Sequence, residues 1–451
     1  GGGFMMPPPP PAGTGQKSEP PPATGSPVKP SEIASRLKAM ASGVAKVSSY
    51  GKSNEGRDLW VITFSGAGDP GDKPGVLYIA GLRGNDGLAI TAALDFALSL
   101  VDAANDNTTR QLFESRTIYI IPLANPDGAG KGTPYLTRPW DDDNDGVADE
   151  DPADGDSKDK DDDDDGKKDE DGPMGLDLLL NFAAGWKAEF IQGHNGPFPM
   201  SEPESKSLAD WVIAHPNLVA AYQLYGTGAN FLYPLSRRSP GAPEDDDKAV
   251  FAAIGKTFED GLSGDDKDKK VKSGTLNSDP APDSEKDNSF LDWLYQNWAV
   301  YPAAIGVKDA APEKLMPLLR DAAMSTPMLS IDDPEVEDLN GGFFRITVTV
   351  KNTGKMGTLS KAGRGQRPRR PVVLWLDLPR GASLQAGPVR KKVDFLDKDK
   401  DEKTVWVVRG AAGSSVTVNA FSAKSGRTAR EIILKATPPK EKMEAPKEVQ
   451  V

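Results

Sequence analysis

Gly75-Val-Leu-Tyr-Ile-Ala-Gly-Leu-Arg-Gly-Asn-Asp86 is the stretch that decides the fold. Its unbroken apolar opening is what a strand buried on both faces requires, and such strands belong to parallel sheets covered by helices. The loop after such a strand, residues 80–86, is a favoured place for chemistry. Further strand patterns lie at 59–64, 117–121, 218–222 and 303–307, with the first one narrowing to 76–79. Helix patterns at 31–44, 88–103, 202–214, 248–258 and 312–323 alternate with them, and Ser201 is the expected cap of the third. Alternation of this kind predicts an α/β domain over 31–325.

From about Met328 the texture changes to short alternating runs at 344–350, 372–376, 404–408, 415–418 and 431–434, separated by turns such as Asn352-Thr-Gly354. This predicts a second domain over 328–436, an all-β sandwich of the immunoglobulin or fibronectin kind. Residues 1–30 are rich in Pro, Gly and Ser and read as a disordered stalk, and 437–451 as a charged, frayed tail.

The 451 residues are 37% hydrophobic and 27% charged, with no cysteine and two histidines, His194 and His215. Disulfides and thiolate metal sites are excluded, and no apolar run approaches the roughly 20 residues of a membrane-spanning helix. The net charge of −13 is concentrated in residues 141–171, whose 18 acidic residues and 4 lysines leave the rest of the chain near +1. Nucleic acid is therefore not the expected partner. Asp141-Asp-Asp-Asn-Asp-Gly-Val-Ala-Asp-Glu-Asp151 recurs as Asp161-Asp-Asp-Asp-Asp-Gly-Lys-Lys-Asp-Glu-Asp171. Carboxylates at positions 1, 3, 5 and 9 around a glycine turn can wrap a hard cation, so calcium is the expected ion. Its candidate ligands are Asp141, Asp143, Asp145 and Asp149, then Asp161, Asp163, Asp165 and Asp169. Glu244-Asp-Asp-Asp247 lacks that turn and reads as surface.

Several ordered motifs resemble the zinc carboxypeptidases of the A/B type, over about residues 40–310. Tyr50-Gly-Lys-Ser-Asn-Glu-Gly-Arg57 is similar to the family's opening turn and Asn125-Pro-Asp-Gly128 to its N-P-D-G turn. Gly175-Leu-Asp-Leu-Leu-Leu-Asn-Phe182, Gly196-Pro-Phe-Pro-Met-Ser-Glu-Pro-Glu204 and Asp292-Trp-Leu-Tyr295 resemble three further signatures. The resemblance implies a three-layer α/β/α domain with a mixed sheet. It also implies where the chemistry would sit, and there the sequence departs. The two ligand positions of the family's His-x-x-Glu read Arg83 and Asp86, the third ligand position reads Gln223, and the catalytic glutamate position reads Gly306. Leu179 and Leu180 stand where the family carries its carboxylate-binding pair. Arginine has no lone pair to give a cation, an amide is a poor zinc ligand and glycine has no base.

The expectation is thus a noncatalytic carboxypeptidase-like protein, without zinc and stabilised by calcium, that is secreted, periplasmic or at the cell surface. A peptide or glycan ligand would be lined by Arg83, Asn85, Arg138, Gln223 and Tyr225. The alternatives are an active zinc metallocarboxypeptidase and a structural or adhesive protein centred on the sandwich. His215 is expected to be solvated in a turn, and His194 to stay out of the cleft.

Overall fold

In the computed structural model the described residues are 21–136, 175–188, 194–239, 241–263, 270–365 and 370–435. The first domain is built on an eight-stranded mixed sheet: β1 (Ala45–Lys52), β2 (Asp58–Phe64), β3 (Gly75–Ile79), β4 (Thr117–Ile121), β5 (Leu218–Tyr225), β6 (Phe231–Tyr233), β7 (Ser273–Thr275) and β8 (Tyr301–Gly306). In space the order is β1-β2-β4-β3-β5-β8-β6-β7. The centre, β4-β3-β5-β8, is parallel, and antiparallel pairs flank it. All five residues of β3 are buried. Val76 and Tyr78 enter one core, whereas Leu77 and Ile79 enter another on the opposite face. The period of two therefore explains why the opening stretch is apolar throughout.

Helices cover both faces. α1 (Pro30–Met40), α2 (Gly87–Asp102), α3 (Asn107–Ser115), a short α4 (Pro126–Lys131), α5 (Pro203–Ala214), α6 (Asp245–Leu262), α7 (Ser289–Trp298) and α8 (Pro312–Met324) follow in chain order. α1, α2, α3, α6 and α8 pack their apolar stripes into the first core, while α5 and α7 fill the second. This is the three-layer arrangement.

The sandwich follows directly. One sheet holds β9 (Leu329–Ile331), β10 (Glu335–Asp338), β11 (Phe343–Asn352), β13 (Ser383–Ala386) and β15 (Asp401–Arg409). The other holds β12 (Val372–Asp377), β14 (Lys391–Val393), β16 (Ser415–Ser422) and β17 (Gly426–Ile433). Both are antiparallel, and Val348, Trp406 and Val408 of one meet Leu374, Val416 and Val418 of the other in a single core.

Four readings change. Helix α1 stops at Met40 rather than 44, because Ala41 turns out to an extended backbone (ψ 122°). Residues 21–30 are part of the folded domain rather than stalk, and residues 1–20 lie outside the described set. Glu202, not Ser201, occupies the N-cap position of α5, and Ser201 Oγ instead donates to the Glu202 carboxylate at 2.7 Å. Asp247 is buried rather than surface. It accepts from the Lys361 amide at 2.8 Å and from Tyr295 Oη at 2.8 Å, tying α6 to the sandwich domain. The domains are also joined by Lys424, whose Nζ donates to the carbonyls of Leu218 (2.6 Å) and Trp298 (2.8 Å).

Candidate functional site

The carboxyl ends of parallel strands in an open sheet leave a crevice where loops converge. Here those ends belong to β3, β5 and β8, in register through Ile79 with Gln223 and Tyr225 with Gly306. Arg83, on the loop after β3, is the centre of the cluster that fills the crevice. Its Nε and Nη2 both reach Asp177 Oδ2 (3.1 and 2.8 Å), its Nη1 reaches Glu285 Oε1 (2.8 Å), and Nη2 also donates to the Ser284 carbonyl (2.7 Å). Glu285 Oε2 accepts from Gln223 Nε2 at 2.9 Å, and Gln223 Oε1 accepts from Asn288 Nδ2 at 2.7 Å. Asn288 in turn caps α7 through the Leu291 amide. Arg83, Asp177, Gln223, Glu285 and Asn288 are all buried, none more than 9% exposed. Burial pulls the Arg83 guanidinium down, but Asp177 and Glu285 outweigh it and hold its pKa above the ordinary value. Burial pushes the Glu285 carboxyl up against the pull of Arg83, with Asp86 and Asp177 adding to the rise.

A strap from the N-terminal side closes the same place. Thr24 donates its hydroxyl to Asp86 Oδ1 and its amide to the Asn85 carbonyl (3.1 Å), and Asn85 Nδ2 donates to the Pro21 carbonyl (3.0 Å). Two glycines make room for it. A Cβ on Gly87 would sit 2.1 Å from the Ser26 carbonyl oxygen, and one on Gly226 would sit 2.3 Å from Thr24 Oγ1. Asp86 Oδ1 also accepts from the Ala89 amide at 3.2 Å, capping α2, and Oδ2 from the Gly226 amide at 2.9 Å. Burial raises the Asp86 pKa against these donors. Gly306 has no space for a side chain, because its Cβ would lie 2.4 Å from the Gly228 carbonyl oxygen. Leu179 and Leu180 are buried in the second core.

An open zinc site takes about three nitrogen, oxygen or sulfur ligands and keeps a position for water. The residues here do not fit that ion. The Arg83 guanidinium has only donors to offer, both Asp86 oxygens are occupied by hydrogen-bond donors, and the Gln223 amide is bonded at both ends. Among the described residues, no group of three or more His, Cys, Asp or Glu is placed to hold a metal.

Of the five expected ligand-lining residues, Arg83, Gln223 and Tyr225 come together but are buried. Tyr225 Oη donates to the Asn230 carbonyl at 3.2 Å. Arg83, Gln223 and Tyr225 thus form a closed polar core, which a ligand could reach only by breaking its bonds. Asn85 is half-buried beneath the strap, and Arg138 lies outside the described residues, as do all eight candidate calcium ligands from Asp141 to Asp169. His194 stacks on Tyr135 with its ring nitrogen 2.7 Å from the Gly175 carbonyl. His215 stands in the expected turn, but it stacks on Trp211 and is half-buried rather than solvated. Glu285, Asp177 and Asn288 were not anticipated. Asp177 lies within a signature motif and Asn288-Ser289 has the form of a helix cap, while Glu285 carries no local signal.

A second set of polar contacts is built mainly from the signature motifs. Asp127 accepts from Ser53 Oγ (2.8 Å), the Glu55 amide (2.8 Å) and Arg57 Nη1 (2.5 Å). Glu204 accepts from the Asn54 amide at 2.9 Å. Burial pushes the Glu204 carboxyl up to about 7. Asn181 binds Ser201, Ser205 and the Asn195 carbonyl, and Asp292 accepts from the Ser236 amide and hydroxyl.

Residues 31–318 match the family model of zinc carboxypeptidases, and residues 328–433 match a family described as a domain of unknown function. The chain is 27% identical over 242 residues to the human carboxypeptidase N catalytic chain, covering 48% of this chain and 47% of that one. It is 23% identical over 268 residues to rat carboxypeptidase A1, covering 57% and 56%. The match thus spans about half the length of these relatives. Among solved structures, bovine thrombin-activatable fibrinolysis inhibitor in complex with tick carboxypeptidase inhibitor aligns at 17% identity with a TM-score of 0.48, covering 66% of this chain and 96% of that one.

Proposed function

The chain belongs to the zinc carboxypeptidase family, and from that premise we propose that it is a noncatalytic member, one that binds a peptide or glycan instead of cutting it. The observation that carries this reading is the Arg83 cluster. A buried guanidinium paired with two carboxylates stands at the position the resemblance implies for a zinc ligand, and its removal would strand those charges. Hydrolysis by a metal-bound water also needs a base beside it, and position 306 has neither a side chain nor space for one. With the crevice closed, the ligand contacts the rim and strap, where Asn85 lies half-buried, and fold alone does not name it.

Calcium in the duplicated acidic repeat belongs to the same proposal. It rests on the sequence pattern, since those aspartates lie outside the described residues. Loops with so many carboxylates suit a compartment with abundant calcium, which favours a secreted, periplasmic or cell-surface setting. A calcium titration followed by calorimetry and far-ultraviolet circular dichroism is expected to give saturable binding that is lost in a variant with Asp143, Asp145, Asp163 and Asp165 changed to Asn. Heat signals that survive those changes would overturn it.

The competing reading, an active zinc metallocarboxypeptidase, is favoured by the family match. Metal analysis of purified protein, together with release of C-terminal residues from a peptide panel, separates the two. The proposal expects substoichiometric zinc and no release above background. One zinc per chain with hydrolysis abolished by a chelator would overturn it.

A further inference from the structure

A groove of about 640 Å³ runs between the two domains, with Lys73 and Pro74 entering it just before β3 while the Arg83 loop follows that strand. Its walls are the 68–74 turn and α3 on one side, with the α8–β9 connection and the β16–β17 hairpin on the other. Two cations form its floor, Arg116 and Lys73, at 2% and 9% exposure. Neither makes an ion pair among the described residues, and for Lys73 burial lowers the pKa against the partial pull of nearby Glu114. Arg116 donates to Thr326 Oγ1, to the Thr326 carbonyl (3.1 Å) and to the Ser115 carbonyl (3.0 Å), all neutral oxygens. Lys73 Nζ donates to Ser65 Oγ (3.1 Å) and the Phe113 carbonyl (2.9 Å). A guanidinium offers five N–H donors and an ammonium three, so both side chains keep donors to spare.

Burying a charge without a counter-charge is costly, and proteins meet that cost by pairing it. Burial lowers the Arg116 pKa to about 10, which leaves it charged at neutral pH. The acids of the groove, Asp69, Asp72 and Glu114, are exposed at the rim and make no ion pair with either cation. Ser425 Oγ, in the same lining, is buried without a hydrogen-bond partner. Half-exposed Met324 and Met328 give the groove an apolar wall beside its charged floor. The volume lies in the range of small-molecule sites.

We propose that this groove binds a small organic anion, whose carboxylate or phosphate pairs with Arg116 and Lys73 while its apolar body lies against Met324 and Met328. Exposed acids at the rim would disfavour polyanions, and the depth of the cations favours a single anionic head.

Isothermal titration of the intact chain at fixed ionic strength tests this with three probes: phenyl phosphate, benzoate and inorganic phosphate. The expected result is saturable one-to-one binding of phenyl phosphate or benzoate with a Kd below about 1 mM, and weaker binding of inorganic phosphate. Preference between the two aromatic probes identifies the head group. Arg116→Gln and Lys73→Met are each expected to weaken the better probe about tenfold or more. If Arg116→Gln does not fold, Lys73→Met and Met328→Ser decide the matter. No saturable binding by the unaltered chain, or affinity unchanged in every folded variant, would overturn the proposal.

Discussion

Two buried polar hubs of the α/β domain look alike and have different origins. The Asp127 hub joins the opening turn, the Asn125 turn and the start of α5, using the residue types that the signature motifs carry. The Arg83 hub sits at the carboxyl ends of β3 and β5 and draws Glu285 and Asn288 from outside those motifs. Both spend carboxylates and an arginine on holding loops together. The difference teaches that the frame of this fold can persist on one set of hydrogen bonds while the crevice is filled by another. A charged residue at a strand end is therefore not evidence of chemistry until its partners are known.

The strongest way to break this comparison is Arg83→Met. Removing the cation between Asp177 and Glu285 is expected to lower the unfolding free energy by about 3–5 kcal/mol in urea denaturation. A loss under about 1 kcal/mol would mean the second hub is not structural.

Next comes a pH effect in the first hub. The Glu204 carboxyl is raised from 4.5 to about 7 by burial. The folded state then holds a proton that the unfolded state has released, so this contribution is full below pH 4.5 and lost as pH rises through about 7. Glu204→Gln should remove a slope worth roughly 3 kcal/mol, seen as unfolding free energies of the two proteins that converge in acid and diverge by pH 8 in favour of the variant.

Asp127→Asn keeps the shape but gives up the charge beside Arg57, which retains Glu55. A loss of about 2 kcal/mol is expected by thermal or urea unfolding, and an equal loss to that of Arg83→Met would erase the contrast between the hubs. The smallest effect is Thr24→Ala. It should cost about 1 kcal/mol and speed proteolytic nicking of residues 21–28 without shifting the global unfolding midpoint by much.

The central strands were legible because burial on both faces leaves an unbroken apolar run, as in 75–79 and 117–121. β1 was missed for the opposite reason. It is an edge strand paired with β2 alone, and its Ser and Lys residues face solvent, which erases the apolar signal. α3 was missed because it buries only Thr109, Leu112 and Phe113. At the site, the odd residues Arg83, Gln223 and Gly306 could be seen from the motifs, but their partners could not. Glu285 lies 202 positions from Arg83, and no local pattern encodes a pairing made by the fold. The strap was hidden by its composition, since Pro and Gly read as loose chain until Gly87 and Gly226 are seen to accommodate it.

Gly306 carries a consequence for anyone who would engineer this protein. Side chains at 83, 86 and 223 stand on backbone that already exists, so a swap there breaks the hydrogen bonds of its hub but needs no new path for the chain. Installing a glutamate at 306 is different in kind, because even its Cβ would lie 2.4 Å from the Gly228 carbonyl oxygen. The backbone after β5 must be rebuilt first, and that rebuilding offers no activity to select for. Any mutational path towards a carboxylate base at this strand end therefore begins with a step that has no catalytic reward.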